Sequence, residues 1–159
     1  MTDMTNDNHA MDVLIIEDEV LLAAELGYLV EEVGCRDVGH AMNSTQALDM
    51  ARETHPDLAL VDVHLSDGPT GIEVARRIVG ECGGTCLFMT ANALRLPADF
   101  AGACGVIGKP YSELAVKRAL HFLGICLHEG RAPGPPPLGF TLAPAYAKRW
   151  GLGDQALAS

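Results

Sequence analysis

Four short apolar runs set the terms for any fold of this chain: Val13 to Ile16, Leu58 to Val61, Cys86 to Met89, and Val106 to Ile107. Such brief runs, rich in β-branched side chains, read as buried strands of a parallel sheet. Asp37 to Ala41 is a weaker candidate for a further strand. Helical spacing fills the gaps. Leu22, Leu26, Leu29 and Val33 give an amphipathic first helix. Ser44 is positioned to cap a second, with Ala47, Leu48 and Ala51 inward. Ile72, Ala75, Val79 and Cys82 give a third. Ser112 caps the last, whose inner face is Val116, Ala119, Leu120 and Leu123. Pro97 leaves room only for a short helix around Ala98 to Ala101. This alternation implies an open α/β sheet with helices on both faces.

A length of 159 residues suits one domain. The N-terminal segment, 1–11, is polar, expected to be flexible, and without an apolar leader. No apolar run reaches the roughly 20 residues that cross a bilayer, so a cytoplasmic protein without membrane contact is expected. The formal net charge of −10 argues against direct nucleic-acid binding. Five cysteines, with no C-x-x-C pair, read as small reduced core residues. The six histidines show no zinc spacing. Residues 12–128 form the expected domain. Five of the nine prolines then fall between Pro133 and Pro144, so 129–159 reads as a linker or extended tail, ending near the sole tryptophan, Trp150.

Ligands of open α/β sheets bind at the carboxyl ends of the strands. Glu17, Asp18 and Glu19 follow the first run; Asp62, Thr90 and Lys109-Pro110 follow the next three. Clustered carboxylates repel one another, and a divalent cation such as magnesium relieves the repulsion through oxygen ligands. An aspartate can also serve as a nucleophile toward phosphorus. An ammonium and a hydroxyl can neutralise or hydrogen-bond the phosphoryl oxygens. Singly, each residue has a plainer reading. The acidic trio favours a helix N-terminus, Asp62 starts a loop, Thr90 ends a strand, and Lys109 is a surface charge. Their joint placement, each directly after a strand, favours phosphoryl transfer.

The residues in this order resemble the receiver domains of two-component response regulators. The likeness rests on Glu17-Asp18 after Val13 to Ile16, on Asp62 within Leu60 to Leu65, on Asp67-Gly68 and Gly71, on Phe88 to Ala91, and on Lys109-Pro110-Tyr111. It extends from about Asp12 to Leu127. The resemblance implies a flavodoxin-like, doubly wound, five-stranded parallel sheet in the order 2-1-3-4-5, here with a shortened fourth helix. It makes Asp62 the phosphoacceptor. A magnesium site is implied at Glu17, Asp18, Asp62 and the His64 backbone carbonyl. Thr90 takes the part of the switch hydroxyl, and Lys109 pairs with the phosphoryl group. Ser66 to Ile72 and Pro97 to Phe100 look most like alphaproteobacterial single-domain regulators. Two departures stand out. Val106 occupies a position that is aromatic in many receivers, leaving Tyr111 as the nearest aromatic, and 91–103 is too short for a full fourth helix. His64 and Asn92, each two residues beyond Asp62 and Thr90, flank the water path in the family.

The family implies a phosphoacceptor rather than an enzyme acting on a separate substrate. The chain would assist its own magnesium-dependent phosphorylation and dephosphorylation. Its donor would be a sensor histidine kinase or a phosphotransferase. The tail is too short and proline-rich for a DNA-binding module. Output would therefore pass through a downstream protein target, or the chain would act as a phosphate sink. A truncation after Gly130 is expected to leave phosphorylation intact. Two rivals remain. A haloacid-dehalogenase-type phosphatase also forms an aspartyl-phosphate, but it needs an aspartate where His64 stands, and a cap insertion. A pseudo-receiver would bind partners without ever taking a phosphoryl group.

Overall fold

The computed structural model describes residues 10–153. Most of the expected flexible N-terminus and the last six residues of the tail lie outside them. Strands and helices alternate: β1 (Asp12–Ile16), α1 (Val20–Glu32), β2 (Arg36–Ala41), α2 (Ser44–Thr54), β3 (Leu58–Asp62), α3 (Gly71–Cys82), β4 (Thr85–Thr90), β5 (Gly105–Gly108) and α4 (Glu113–Glu129). These are followed by β6 (Phe140–Leu142) and α5 (Pro144–Arg149). The sheet order is β2-β1-β3-β4-β5-β6. β1 to β5 pair in parallel, in the expected order.

Two apolar layers sandwich the sheet. On one face, Val13, Ile15, Leu60 and Leu87 meet Leu26 and Leu29 of α1 and Leu120 and Leu123 of α4. On the other, Leu14, Ile16, Val61 and Phe88 meet Ala47 and Ala51 of α2 and Val74 and Ile78 of α3. Strand side chains alternate between faces, so strands covered on both sides must be apolar throughout. This is why β1, β3 and β4 appear as unbroken apolar runs.

Three expectations need correction. Asn43, not Ser44, caps α2: its side chain accepts the Gln46 amide at 2.9 Å. The fourth helix is reduced further than its length suggested, to two single 3-10 turns, Ala93–Arg95 and Phe100–Gly102. Pro97 lies between them, and positive φ at Phe100 and Ala101 breaks helical propagation.

The third correction concerns the sheet count and the tail. The sheet has six strands, because β6 runs antiparallel along β5, pairing Phe140 with Ile107 and Leu142 with Gly105. Residues 140–150 are therefore not an extended tail. Phe140, Leu142, Tyr146 and Trp150 are buried in the α1/α4 layer. Phe140 meets Phe122 edge-on at 5.9 Å, and Trp150 meets Tyr146 at 5.0 Å. Gly105 makes the approach feasible, because a Cβ there would collide with the Thr141 carbonyl oxygen and the Phe140 ring. A short strand bounded by Pro137 and Pro144 also closes an otherwise open edge.

Candidate functional site

Parallel pairing brings the ends of β1, β3, β4 and β5 to one edge of the sheet. Glu17 follows β1 and is 2% exposed; Asp62 ends β3 at 9%, and Thr90 ends β4 at 5%. Lys109 follows β5, and its amide donates to the Thr90 carbonyl at 2.9 Å. The Lys109 ammonium reaches Asp62 Oδ2 at 3.1 Å and Glu17 Oε1 at 3.3 Å. One carboxylate oxygen from each of Glu17, Asp18 and Asp62 lies within 4.8 Å of the others. Five of the six expected site residues thus come together through their side chains or the strand ends that carry them. The sixth, His64, was expected to contribute a backbone carbonyl; it lies two residues beyond Asp62, itself exposed between the buried Val63 and Leu65.

The same local turn sets three of these side chains. Glu17 accepts the amide of Glu19 (3.1 Å), Asp62 that of His64 (3.2 Å), and Thr90 that of Asn92 (3.2 Å). Each side chain is held by the chain two residues on. His64 and Asn92, whose side chains are exposed, also have this backbone part in the site.

The charges are unbalanced. Burial pushes the Glu17 carboxyl up to about 7, helped by the Asp62 charge and opposed by the Glu19 amide and Lys109. Burial works against the Lys109 charge, but Asp62 and Glu17 outweigh it and hold the ammonium above its ordinary value. Three carboxylates facing a single ammonium leave excess negative charge on hard oxygen donors. That donor set fits a divalent cation of the magnesium type.

The loop after β3 is fastened at both ends. Asp67 accepts both the amide and the hydroxyl of Ser44, and the Thr70 hydroxyl at 2.8 Å. These bonds hold Asp67 below the usual carboxylate range. The Ser66 amide and hydroxyl both donate to the Met42 carbonyl, at 3.1 and 3.0 Å. A Cβ on Gly71 would strike the Asp62 carbonyl oxygen, so α3 can start this close to the site only from glycine. Sequence reasoning placed Asp67 in a motif without giving it a role. Its partner Ser44 lies 23 residues away, so no local spacing reveals the latch.

Tyr111 and Val106 pack in opposite apolar layers of the sheet. Val106 packs in the α2/α3 layer, beside Phe88 on β4 and Thr141 on β6. Tyr111 packs against the opposite layer. Its hydroxyl is buried without a hydrogen-bond partner, and burial together with the nearby Glu17 charge raises it above the ordinary phenol value.

Residues 13–121 match the family model described as the response regulator receiver domain. The chain belongs to that family. It is 33% identical over 113 residues to the phyllosphere-induced regulator PhyR of Methylorubrum extorquens, covering 70% of this chain and 42% of that protein. It is also 33% identical over 132 residues to the transcriptional regulatory protein PdtaR of Mycobacterium tuberculosis, covering 74% of this chain and 64% of that protein. The chain thus spans less than two thirds of either relative. Among solved structures, the receiver domain of Erythrobacter litoralis PhyR superposes with a TM-score of 0.63 at 30% identity, covering 81% of this chain and 97% of that one. A receiver domain of a modulated diguanylate cyclase from Desulfovibrio desulfuricans G20 also gives 0.63, at 27% identity, covering 76% of this chain and 97% of that one. Among the described residues, no helix is long and apolar enough to cross a membrane.

Proposed function

We propose that this receiver domain takes a phosphoryl group on Asp62 and signals by protein contacts, in the cytoplasm. The observation that carries the reading is the Lys109 bridge to Asp62 and Glu17 beside a three-carboxylate cluster. Asp62 is the one cluster carboxylate that ends a central strand and also meets the ammonium. A carboxylate oxygen of Asp62 attacks phosphorus. The new O–P bond forms as the bond from phosphorus to the donor's histidine nitrogen breaks, and the electron pair stays on that nitrogen. The Lys109 ammonium neutralises a phosphoryl oxygen in the transition state, and the Thr90 hydroxyl donates to another. Glu17, Asp18, Asp62 and the His64 carbonyl would hold magnesium, which supplies further charge neutralisation when bound.

The donor in this reading is a histidine kinase or phosphotransferase, and the chain assists its own phosphorylation and dephosphorylation without acting on a separate substrate. Output goes to a protein target rather than to nucleic acid, in keeping with the net charge of −10. A PhyR from Bartonella quintana, 26% identical with a TM-score of 0.61, is called an anti-anti-sigma factor, which supports a protein target. Draining phosphate from a shared kinase needs the same chemistry.

Intact-protein mass spectrometry after incubation with a small phosphodonor tests the reading. A magnesium-dependent gain of one phosphoryl group, absent in Asp62→Asn, is expected. A labelled Asp62→Asn protein would overturn the assignment. An unlabelled wild type that also shows no magnesium-dependent beryllofluoride binding would favour a pseudo-receiver.

A further inference from the structure

Charge is divided unevenly along this acidic chain. From Glu113 onward, five Lys and Arg face three carboxylates; before it, six face eighteen. The cations of the first part are mostly occupied: Arg36 pairs with Asp12, Arg52 and Arg77 with Glu81, and Arg76 with Asp99. On α4 the balance differs. Lys117 pairs with Glu32, but Arg118 and His121 have no carboxylate partner among the described residues. Both are exposed.

Arg118 stands where two apolar grooves meet. One, of about 540 Å³, is floored by Val33, Phe122 and Ile125 and walled by Pro133, Pro135 and Pro137, with the mutually paired Lys117 and Glu32 also lining it. The other, of about 330 Å³, runs past Pro110, Leu114 and Leu138. Leu138 is 90% exposed and Leu114 52% exposed, both unusually open for leucine. The proline-rich segment that wraps back to β6 forms a shared wall of this strip, since Pro137 lines the first groove and Leu138 the second.

From this geometry we infer that the strip is a docking surface for an acidic amphipathic segment of a partner protein. One apolar anchor fills each groove, and a carboxylate between them meets Arg118 and His121. Apolar pockets around an unpaired guanidinium are the arrangement that such a segment satisfies. A carboxylate arriving there meets a cation with no ion-pair partner among the described residues, while the acidic remainder of the surface repels it from other sites. The inference does not depend on the phosphoacceptor assignment, so either reading can fail without the other.

The test is fluorescence anisotropy with a labelled synthetic amphipathic peptide of leucine and glutamate, and its lysine-for-glutamate counterpart, on the full chain. The glutamate peptide is expected to bind, and Arg118→Glu to weaken it by about tenfold. The control, Arg95→Glu, changes net charge equally at an exposed cation elsewhere and is expected to leave binding unchanged. Amide NMR shifts are expected at His121, Ile125 and Leu138. Equal losses in the two variants, preference for the lysine peptide, or no binding would overturn the inference. A wild-type dimer in sedimentation equilibrium that Arg118→Glu dissociates would also overturn it, placing a second copy in the grooves.

Discussion

Lys109 holds Asp62 from 3.1 Å, and the same ammonium reaches Glu17, at the end of the neighbouring strand, at 3.3 Å. It thus moderates repulsion between two buried carboxylates while standing where a phosphoryl oxygen would need a cation. Lys109→Met keeps much of the stem and removes the charge. The rate of Asp62 phosphorylation is expected to fall by roughly 10²- to 10³-fold, the usual cost of losing one transition-state donor. Magnesium affinity is expected to rise, because a competing cation is gone. Magnesium titration of the variant by calorimetry checks the second point, and a weakened affinity would count against the bridge as described.

Glu17 keeps its proton to about pH 7 in the folded protein, against an ordinary value of 4.5. The folded state therefore binds this proton more tightly than the unfolded chain does. Its contribution to stability is complete below the unfolded value and is lost as pH rises through about 7. In magnesium-free buffer, urea denaturation is expected to show falling stability between about pH 5 and about pH 8, and Glu17→Gln to flatten the profile. Magnesium requires the charged carboxylate, so its affinity is expected to rise over the same window. An unchanged profile in Glu17→Gln would remove Glu17 as the cause.

Strands β1, β3 and β4 were legible because a strand covered on both faces has no freedom to be polar. Asp62 and Thr90 were legible because each directly follows such a run, and Lys109 because only one residue separates it from Val106-Ile107. The strand order came from the family resemblance, since apolar pattern does not encode neighbours. The C-terminal arm, residues 131–150 with β6 and α5, was missed for a physical reason. Phe140-Thr141-Leu142 alternates correctly for a half-buried strand, but over three residues between prolines, too few for periodicity to register. Asn43 takes the cap because the helix already includes Ser44, so the Asn43 side chain accepts the Gln46 amide, and Ser44 instead donates its hydroxyl to Asp67.

Asp67 ties the loop carrying His64 to the first turn of α2. Removing the tie frees the backbone that would present a carbonyl to magnesium. Asp67→Ala is expected to weaken magnesium binding by about tenfold, in the range seen when outer partners of a metal site are lost. Asp67→Asn, whose one amide oxygen can still accept from Ser44 while its NH2 donates to the Thr70 hydroxyl, is expected to recover part of it. Equal losses in the two variants would point to the charge of Asp67 rather than its hydrogen bonds.

Trp150 is 4% exposed, and its carbonyl accepts the Ala132 amide at 3.1 Å, pinning the far end of the arm to the segment leaving α4. Its ring packs against Tyr146, whose other neighbour is the Arg149 guanidinium, 4.4 Å from the ring centre. Trp150→Ala is expected to destabilise the protein by about 3 kcal/mol in urea denaturation, the cost of emptying a large aromatic site. Truncation after Gly130 uncovers Phe122 and the β5 edge together, so a larger loss of stability and a tendency to aggregate are expected. The arm lies along β5 and supplies none of the residues of the acidic cluster, so the protein that remains folded is expected to label on Asp62 at the wild-type rate. A stable, soluble truncation would show that the arm only rests on the domain. A folded truncation that cannot be labelled would show that β6 is needed to hold β5, and with it Lys109, in register with Thr90.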